Sequence, residues 1–241
     1  MGILLAAQNG QKEVDFFIKG VCSYHLFGQE LWITTTHICV LIVLLTIVLF
    51  AVCARYAIER GTEVPGAFQN IVELMVEKLD GMISSAMGIH APKFRNYIGT
   101  IFIFILFSNI SGLLGLRPPT ADYGVTLALG LMTFTLIHFN KFRYQHVSGV
   151  VKGLMSPWPF WIPINIIGDL AVPISLSLRL FANILSGVVM EALVYTLLSK
   201  FAVIWPAALH VYFDLFSGAI QTYVFCMLTM TYIADACDTG E

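Results

Sequence analysis

Charge is what this sequence has least of: Lys, Arg, Asp and Glu make up 12% of its 241 residues, about half their share in soluble domains. Hydrophobic residues account for 58%, and the mean hydropathy is +0.81. That balance excludes an ordinary soluble fold and implies an integral membrane protein. A net charge of -2 leaves no basic footprint, so nucleic acid is not expected as a partner. Cys22, Cys39, Cys53, Cys226 and Cys237 are scattered without metal-ligand spacing. They read as small packing residues, and neither metal nor cofactor is expected. Apolar runs leave little room for a soluble catalytic module, so the chain itself is not expected to be an enzyme. Met1 to Phe27 mixes charge with short apolar pieces and lacks a cleavage site after an apolar core, so it is not read as a signal peptide.

What is present is a series of long apolar runs, expected to form an all-α polytopic protein with about five membrane-embedded helices and one amphipathic interfacial helix. The first span is Ile33 to Cys53. Val64 to Ala91 shows helical spacing, with Phe68, Ile71, Leu74, Met75 and Leu79 against Glu73, Glu77, Lys78 and Asp80, and reads as a helix near the interface. A second span runs from about Tyr97 to Leu114, ended by Arg117, Pro118 and Pro119. A short third runs from Val125 to His138. After an aromatic and proline-rich connector at 156–163 come two long helices, Pro173 to Ser199 and Pro206 to Ala236. At about 40 to 46 Å they exceed a hydrocarbon core of about 30 Å and must tilt strongly or break. The whole chain reads as one membrane domain: an outer segment 1–32, peripheral helices 33–163 and a final helix pair 164–241. Cations gather around Arg55, Arg60, Lys78, Lys93 and Arg95 and again at Lys141, Arg143 and Lys152, which puts those loops inside, the N-terminus outside and the C-terminus inside.

Arg179 most needs a reason. Apart from Glu191 it is the only formal charge between Ala171 and Leu198, and a guanidinium at the bilayer centre costs roughly 2.5 to 17 kcal/mol depending on the scale. Either it has a job there, or it marks the edge of a span beginning at Leu180 and snorkels to the headgroups. At 100° per residue, Arg179, Asn183, Ser186 and Gly187 share a face. On the last helix His210, Asp214, Ser217 and Gln221 share another, continued by Tyr232 and Asp235. Such stripes line water or bond between helices as structural glue. His210 and Asp214 without a third ligand make a poor metal site.

The run Pro173-Ile174-Ser175-Leu176-Ser177-Leu178-Arg179-Leu180-Phe181-Ala182-Asn183 resembles the signature of subunit a of the F-type ATP synthase. The resemblance extends to Ser217-Gly218-Ala219-Ile220-Gln221 with Tyr232-Ile233, to Asn109-Ile110-Ser111-Gly112-Leu113-Leu114-Gly115-Leu116, and to Pro119-Thr120-Ala121-Asp122 before Thr126. Phe68-Gln69-Asn70 and Lys93-Phe94-Arg95-Asn96-Tyr97 add to it, so most of the chain after about residue 34 is covered. It implies an ion-translocating stator in an energy-coupling membrane, foremost a bacterial plasma membrane, with a ring of c subunits, b-type peripheral stalk subunits and an F1 ATPase head as partners. Two aqueous half-channels would meet the ring at mid-membrane, with Arg179 keeping them apart and Asn183 and Gln221 nearby.

One position departs from that pattern. Members commonly carry an acid nine residues after the arginine, and here that position is Val188. The half-channel acid is therefore expected at Asp214, with Glu191 as the weaker alternative and His210 and Ser217 beside it. Gly168 stands where an acid is frequent, leaving Asp169, Tyr232 and Asp235 as candidates for the inner side. In this family the ion-coordinating group sits mostly on the ring, so proton or sodium transport is not written in this chain. A secondary transporter also places charge at mid-membrane and stays as the alternative, although the internal repeats common in transporters are not visible.

Overall fold

The computed structural model describes residues 20–26, 29–59, 66–114, 116–155, 158–197 and 211–237. Its membrane part is all-α, since hydrocarbon offers backbone polar groups no partner outside their own helix. Ahead of the helices stands a hairpin that the sequence reading leaves out. Strand β1 (Gly20–Leu26) pairs antiparallel with β2 (Gln29–Thr34), placing Leu26 opposite Gln29 and Gly20 opposite Thr34. Val21, Tyr24, Trp32 and Ile33 are good strand formers, but the pieces are too short to show a period.

Strand β2 runs straight into α1 (Thr35–Glu59). This helix buries only a stripe including Cys39, Val43 and Ala54, and leaves Leu41, Leu45, Val48, Leu49 and Val52 exposed. In lipid that exposure is harmless, because acyl chains are as apolar as leucine. Helix α2 (Ala67–Met87) has the amphipathic spacing expected, with an unexpected face turned inward. Val72, Ile83 and Met87 are buried, while Ile71 and Leu74 are exposed and Phe68 sets its ring edge-on to Phe50 of α1. Gly88 ends the helix at a φ of 53°, a left-handed setting open to glycine, and its N–H bonds the Ser84 carbonyl.

Helix α3 (Ala91–Ile110) starts with Pro92 in its first turn, where a missing N–H is harmless. Its buried residues Phe94, Ile98, Ile101, Ile105 and Asn109 recur at three- and four-residue steps and form one stripe. The Arg95 guanidinium reaches back to Asp80 on α2. A 3₁₀ turn at Ser111–Leu114 closes the span, just before the prolines that the sequence marks as its end.

The next two helices are longer than the sequence suggests. Helix α4 (Tyr123–Met155) does not stop at His138 but continues to Met155, 33 residues in all, about 50 Å. Lys141 and Arg143 mark where it leaves hydrocarbon, and no proline interrupts it. At its start the Asp122 carboxylate accepts a hydrogen bond from the Gly124 N–H, as a capping residue does. Helix α5 (Ile162–Leu197) begins eleven residues before Pro173 and passes through it, for 36 residues in all. Pro173 has no N–H for the carbonyl of Asp169, four residues back. Membrane helices tolerate such a proline where a neighbouring helix packs on it, and α4 does so here: a Cβ on Gly130 would lie 2.7 Å from the Pro173 carbonyl oxygen.

Residues 198–210, including the expected start of the last helix at Pro206, fall outside the described residues. The chain is next seen as a π-helical segment, Val211–Ser217, leading into α6 (Gly218–Cys237). Helix α6 packs against α2, α3, α4 and α5, and its Phe225, Met230 and Ile233 join Ile98 and Ile105 of α3 and Leu176 and Leu180 of α5 in one core. Among the described residues, four helical stretches are long and apolar enough to cross a membrane: 35–56, 67–113, 123–145 and 159–190. In α6 the apolar residues are diluted by Gln221, Thr222, Thr229, Thr231 and Asp235.

Candidate functional site

Arg179 lies about half-way along α5. Its neighbours Leu176, Ser177 and Leu180 are buried against the bundle, whereas Leu178 and Arg179 are exposed. The guanidinium therefore stands on the open side of the helix, and no carboxylate pairs with it among the described residues. On the same face of α5, Ser175, Ala182 and Ser186 are exposed as well, and exposed apolar residues occur elsewhere on both helices, at Ile174, Leu178 and Leu185 and at Phe216, Ile220 and Tyr223.

One turn further on, the sequence's two polar faces meet. Asn183 Oδ1 accepts a hydrogen bond of 3.1 Å from Ser217 Oγ, joining α5 to the end of the π-helical segment. Ser186 does not take part, because its hydroxyl bonds back to Ala182 O on its own helix, and Gly187 is buried. Gln221 follows Ser217 by one turn and is only 8% exposed, with no hydrogen-bond partner for its Nε2 among the described residues. A buried donor left unpaired costs about 1–3 kcal/mol, and such groups collect where function needs them. Asp214 lies in the π-helical segment and Glu191 near the end of α5. His210 falls outside the described residues. An i→i+5 turn is wider than an α-turn, so the backbone at 211–217 does not keep the register by which the sequence aligns Asp214 with Gln221.

A second polar group forms ten residues before Arg179, about 15 Å down the α5 axis. Here α4, α5 and α6 enclose a cavity of about 220 Å³ whose lining includes His138, Lys141, Asp169, Tyr232 and Asp235. Asp169 Oδ2 accepts from Lys141 Nζ at 3.3 Å and lies 3.8 Å from His138 Nε2. Partial exposure keeps the Lys141 pair within about 1 kcal/mol. The sequence singles out Asp169, Tyr232 and Asp235, whereas His138 reads as the end of a span and Lys141 as a cation of an inner loop. Their three-residue spacing puts both on one face, a signal that becomes visible once the helix is known to continue.

These features define a class: a multi-pass helical membrane protein with a cation on its open face that has no carboxylate partner among the described residues, a polar seam beside it and a charged cavity below. The ATP synthase A chain family matches residues 36–234. Relatives include the sodium-ion-specific ATP synthase subunit a of Propionigenium modestum, 36% identical over 203 residues that cover 78% of this chain and 69% of that one. ATP synthase subunit a 1 of Syntrophotalea carbinolica is 35% identical over 236 residues, 95% of each chain. That of Moorella thermoacetica is 31% identical over 219 residues, 90% of this chain and 96% of that one. The chain belongs to the ATP synthase subunit a family. It is thus an integral component of the membrane sector of a complex with other subunits.

Proposed function

We propose that this chain forms the stationary wall of the ion path in a rotary ATP synthase, contributing no catalytic group and guiding ions to and from carboxyl groups on a rotating c ring. The observation that carries this reading is Arg179, held half-way along α5 on the open side without a carboxylate partner among the described residues. A ring carboxyl crossing lipid must be neutral. Beside a guanidinium within about 4 to 6 Å its pKa falls by about 1 to 3 units. Each arriving carboxyl gives up its ion before it passes Arg179 and takes another afterwards.

The polar groups on either side of Arg179 suit the two access paths. The cavity of His138, Lys141, Asp169, Tyr232 and Asp235 serves the inner side. The Asn183–Ser217 seam with Gln221, and Asp214 and Glu191 beyond it, serve the outer side, to which His210 is assigned from the sequence alone. The open apolar face of α5 and α6 takes the ring, b-type stalk subunits and the F1 head complete the assembly, and α2 lies near the inner interface. The chain acts as one membrane domain, in an energy-coupling membrane of the bacterial plasma-membrane kind.

Solubilised gently from its own membrane, the chain should copurify with a ring of small carboxyl-bearing subunits and a soluble ATPase head. Solute uptake by the chain reconstituted alone would instead make it a secondary transporter. Orientation has its own check, since the cationic loops place position 141 inside and position 123 outside. In a chain with its native thiols replaced, Lys141→Cys and Tyr123→Cys should react with an impermeant maleimide from opposite faces of vesicles. Labelling of both from one face would overturn the arrangement of α4.

A further inference from the structure

Two motifs quoted for the family resemblance, around Asn109 and around Thr120, have no part in the path just described, yet the fold brings them together. Thr120 Oγ1 donates to Asn109 Oδ1 at 2.9 Å, and Asn109 Nδ2 donates onward to the Gly218 carbonyl at 3.0 Å and to Thr222 Oγ1 at 3.3 Å. Thr222 Oγ1 also donates to Gly218 O at 2.8 Å. Asn109 is 1% exposed, and Thr120 and Thr222 are fully buried. Gly218 is the first residue of α6 after the π-helical segment. A Cβ there would lie 2.9 Å from Asn109 Cβ, so glycine is needed for the close approach of the two helices.

We propose that Asn109, held by Thr120, is a positioning residue that fixes the rotation of the last helix where its π and α segments join. Gly218 and Thr222, one turn apart, face Asn109 on α3. Ser217 and Gln221, also one turn apart, lie about 100° away around the axis. Ser217 is the group that reaches Asn183 on α5. Turning α6 toward or away from α3 therefore moves Ser217 and Gln221 relative to Arg179. A π-to-α junction has more than one way to register its hydrogen bonds, and the amide clamp on the Gly218 carbonyl selects one. Asn suits this task because its side chain accepts from Thr120 and donates to α6 at once.

The assignment rests on reading the α5–α6 seam as part of the ion path, and the test separates the two. In the intact complex, with native cysteines replaced by alanine, the Asn183→Cys and Ser217→Cys pair should form a disulfide quickly under mild oxidation. Adding Asn109→Asp, which removes the donor, or Asn109→Leu, which keeps the bulk, should slow that reaction by at least about tenfold, since a disulfide tolerates only a narrow range of Cα separations. Without the cysteine pair, the same two variants should lower ATP-driven pumping per complex several-fold, and Thr120→Val should lower it less. An unchanged cross-linking rate in both Asn109 variants, at normal complex content, overturns the positioning role. Slowed cross-linking with normal pumping upholds that role and instead removes the seam from the ion path.

Discussion

Replacing Arg179 with alanine should abolish ATP-driven ion pumping and open a passive ion leak through the assembled complex. Both effects follow from the guanidinium's place on the open side of α5, without a carboxylate partner among the described residues. With alanine there, a neutral ring carboxyl meets no charge to draw off its ion and can carry it from one access path to the other. Arg179→Lys should also lose coupling, because the ammonium is a compact charge of different reach and can shed its proton when desolvated, which a guanidinium does not. An interfacial anchor would behave differently, since lysine snorkels as well as arginine. The measurement is ion flux in vesicles under an imposed gradient, with and without ATP, at matched complex content. Near-normal coupling in the lysine variant would make Arg179 an anchor and not the centre of the mechanism.

Gly130→Leu should prevent the complex from accumulating. A Cβ at this position would meet the Pro173 carbonyl oxygen at 2.7 Å and the Ser177 Cβ at 3.4 Å. The first obstacle is backbone within a helix and cannot turn aside as a side chain can. Overpacking of this kind costs about 1–3 kcal/mol for modest insertions, and a branched side chain against backbone exceeds that range. Alanine should already lower complex content and thermal stability measurably. Gly99 provides the control: nothing lies within 4 Å of a Cβ there, and alanine in a helix interior gains up to about 1 kcal/mol over glycine. Equal behaviour of Gly99→Ala and Gly130→Ala on a thermal ramp would mean that the α4–α5 contact is looser than its geometry indicates. The expected loss extends to Asp169, because its partners His138 and Lys141 sit on α4 and depend on the same contact.

What the sequence reveals and hides follows from what it can display. A lone Arg179 in an apolar stretch is visible at once, and its pairing of faces with the last helix reappears as the Asn183–Ser217 bond. The Pro118–Pro119 stop after α3 is visible for a similar reason, as proline cannot continue a helix. Helix ends outside hydrocarbon are harder to place. Lys141 and Arg143 signal where lipid stops, not where the helix does, so a span drawn only to His138 hides the face that His138 and Lys141 share at the cavity. Pro173 looks like a first-turn proline until Gly130 is seen packed against it. The π-helical segment has no sequence signature of its own, and without it the alignment of Asp214 with Gln221 is drawn on the wrong pitch. The face of α2 is hidden for a physical reason: beside lipid, the more apolar side need not be the buried one.

The central place of α6 also sets an order of assembly. It is translated after every helix that it touches, and those helices enter the bilayer first. Until it arrives, the α3 stripe that carries Asn109 has no α6 to pack against, and the Asn109 amide lacks the Gly218 carbonyl. The arrival of α6 brings Gly218 to Asn109 and Ser217 to Asn183 together, so the seam proposed as part of the ion path forms only once the last helix is in place.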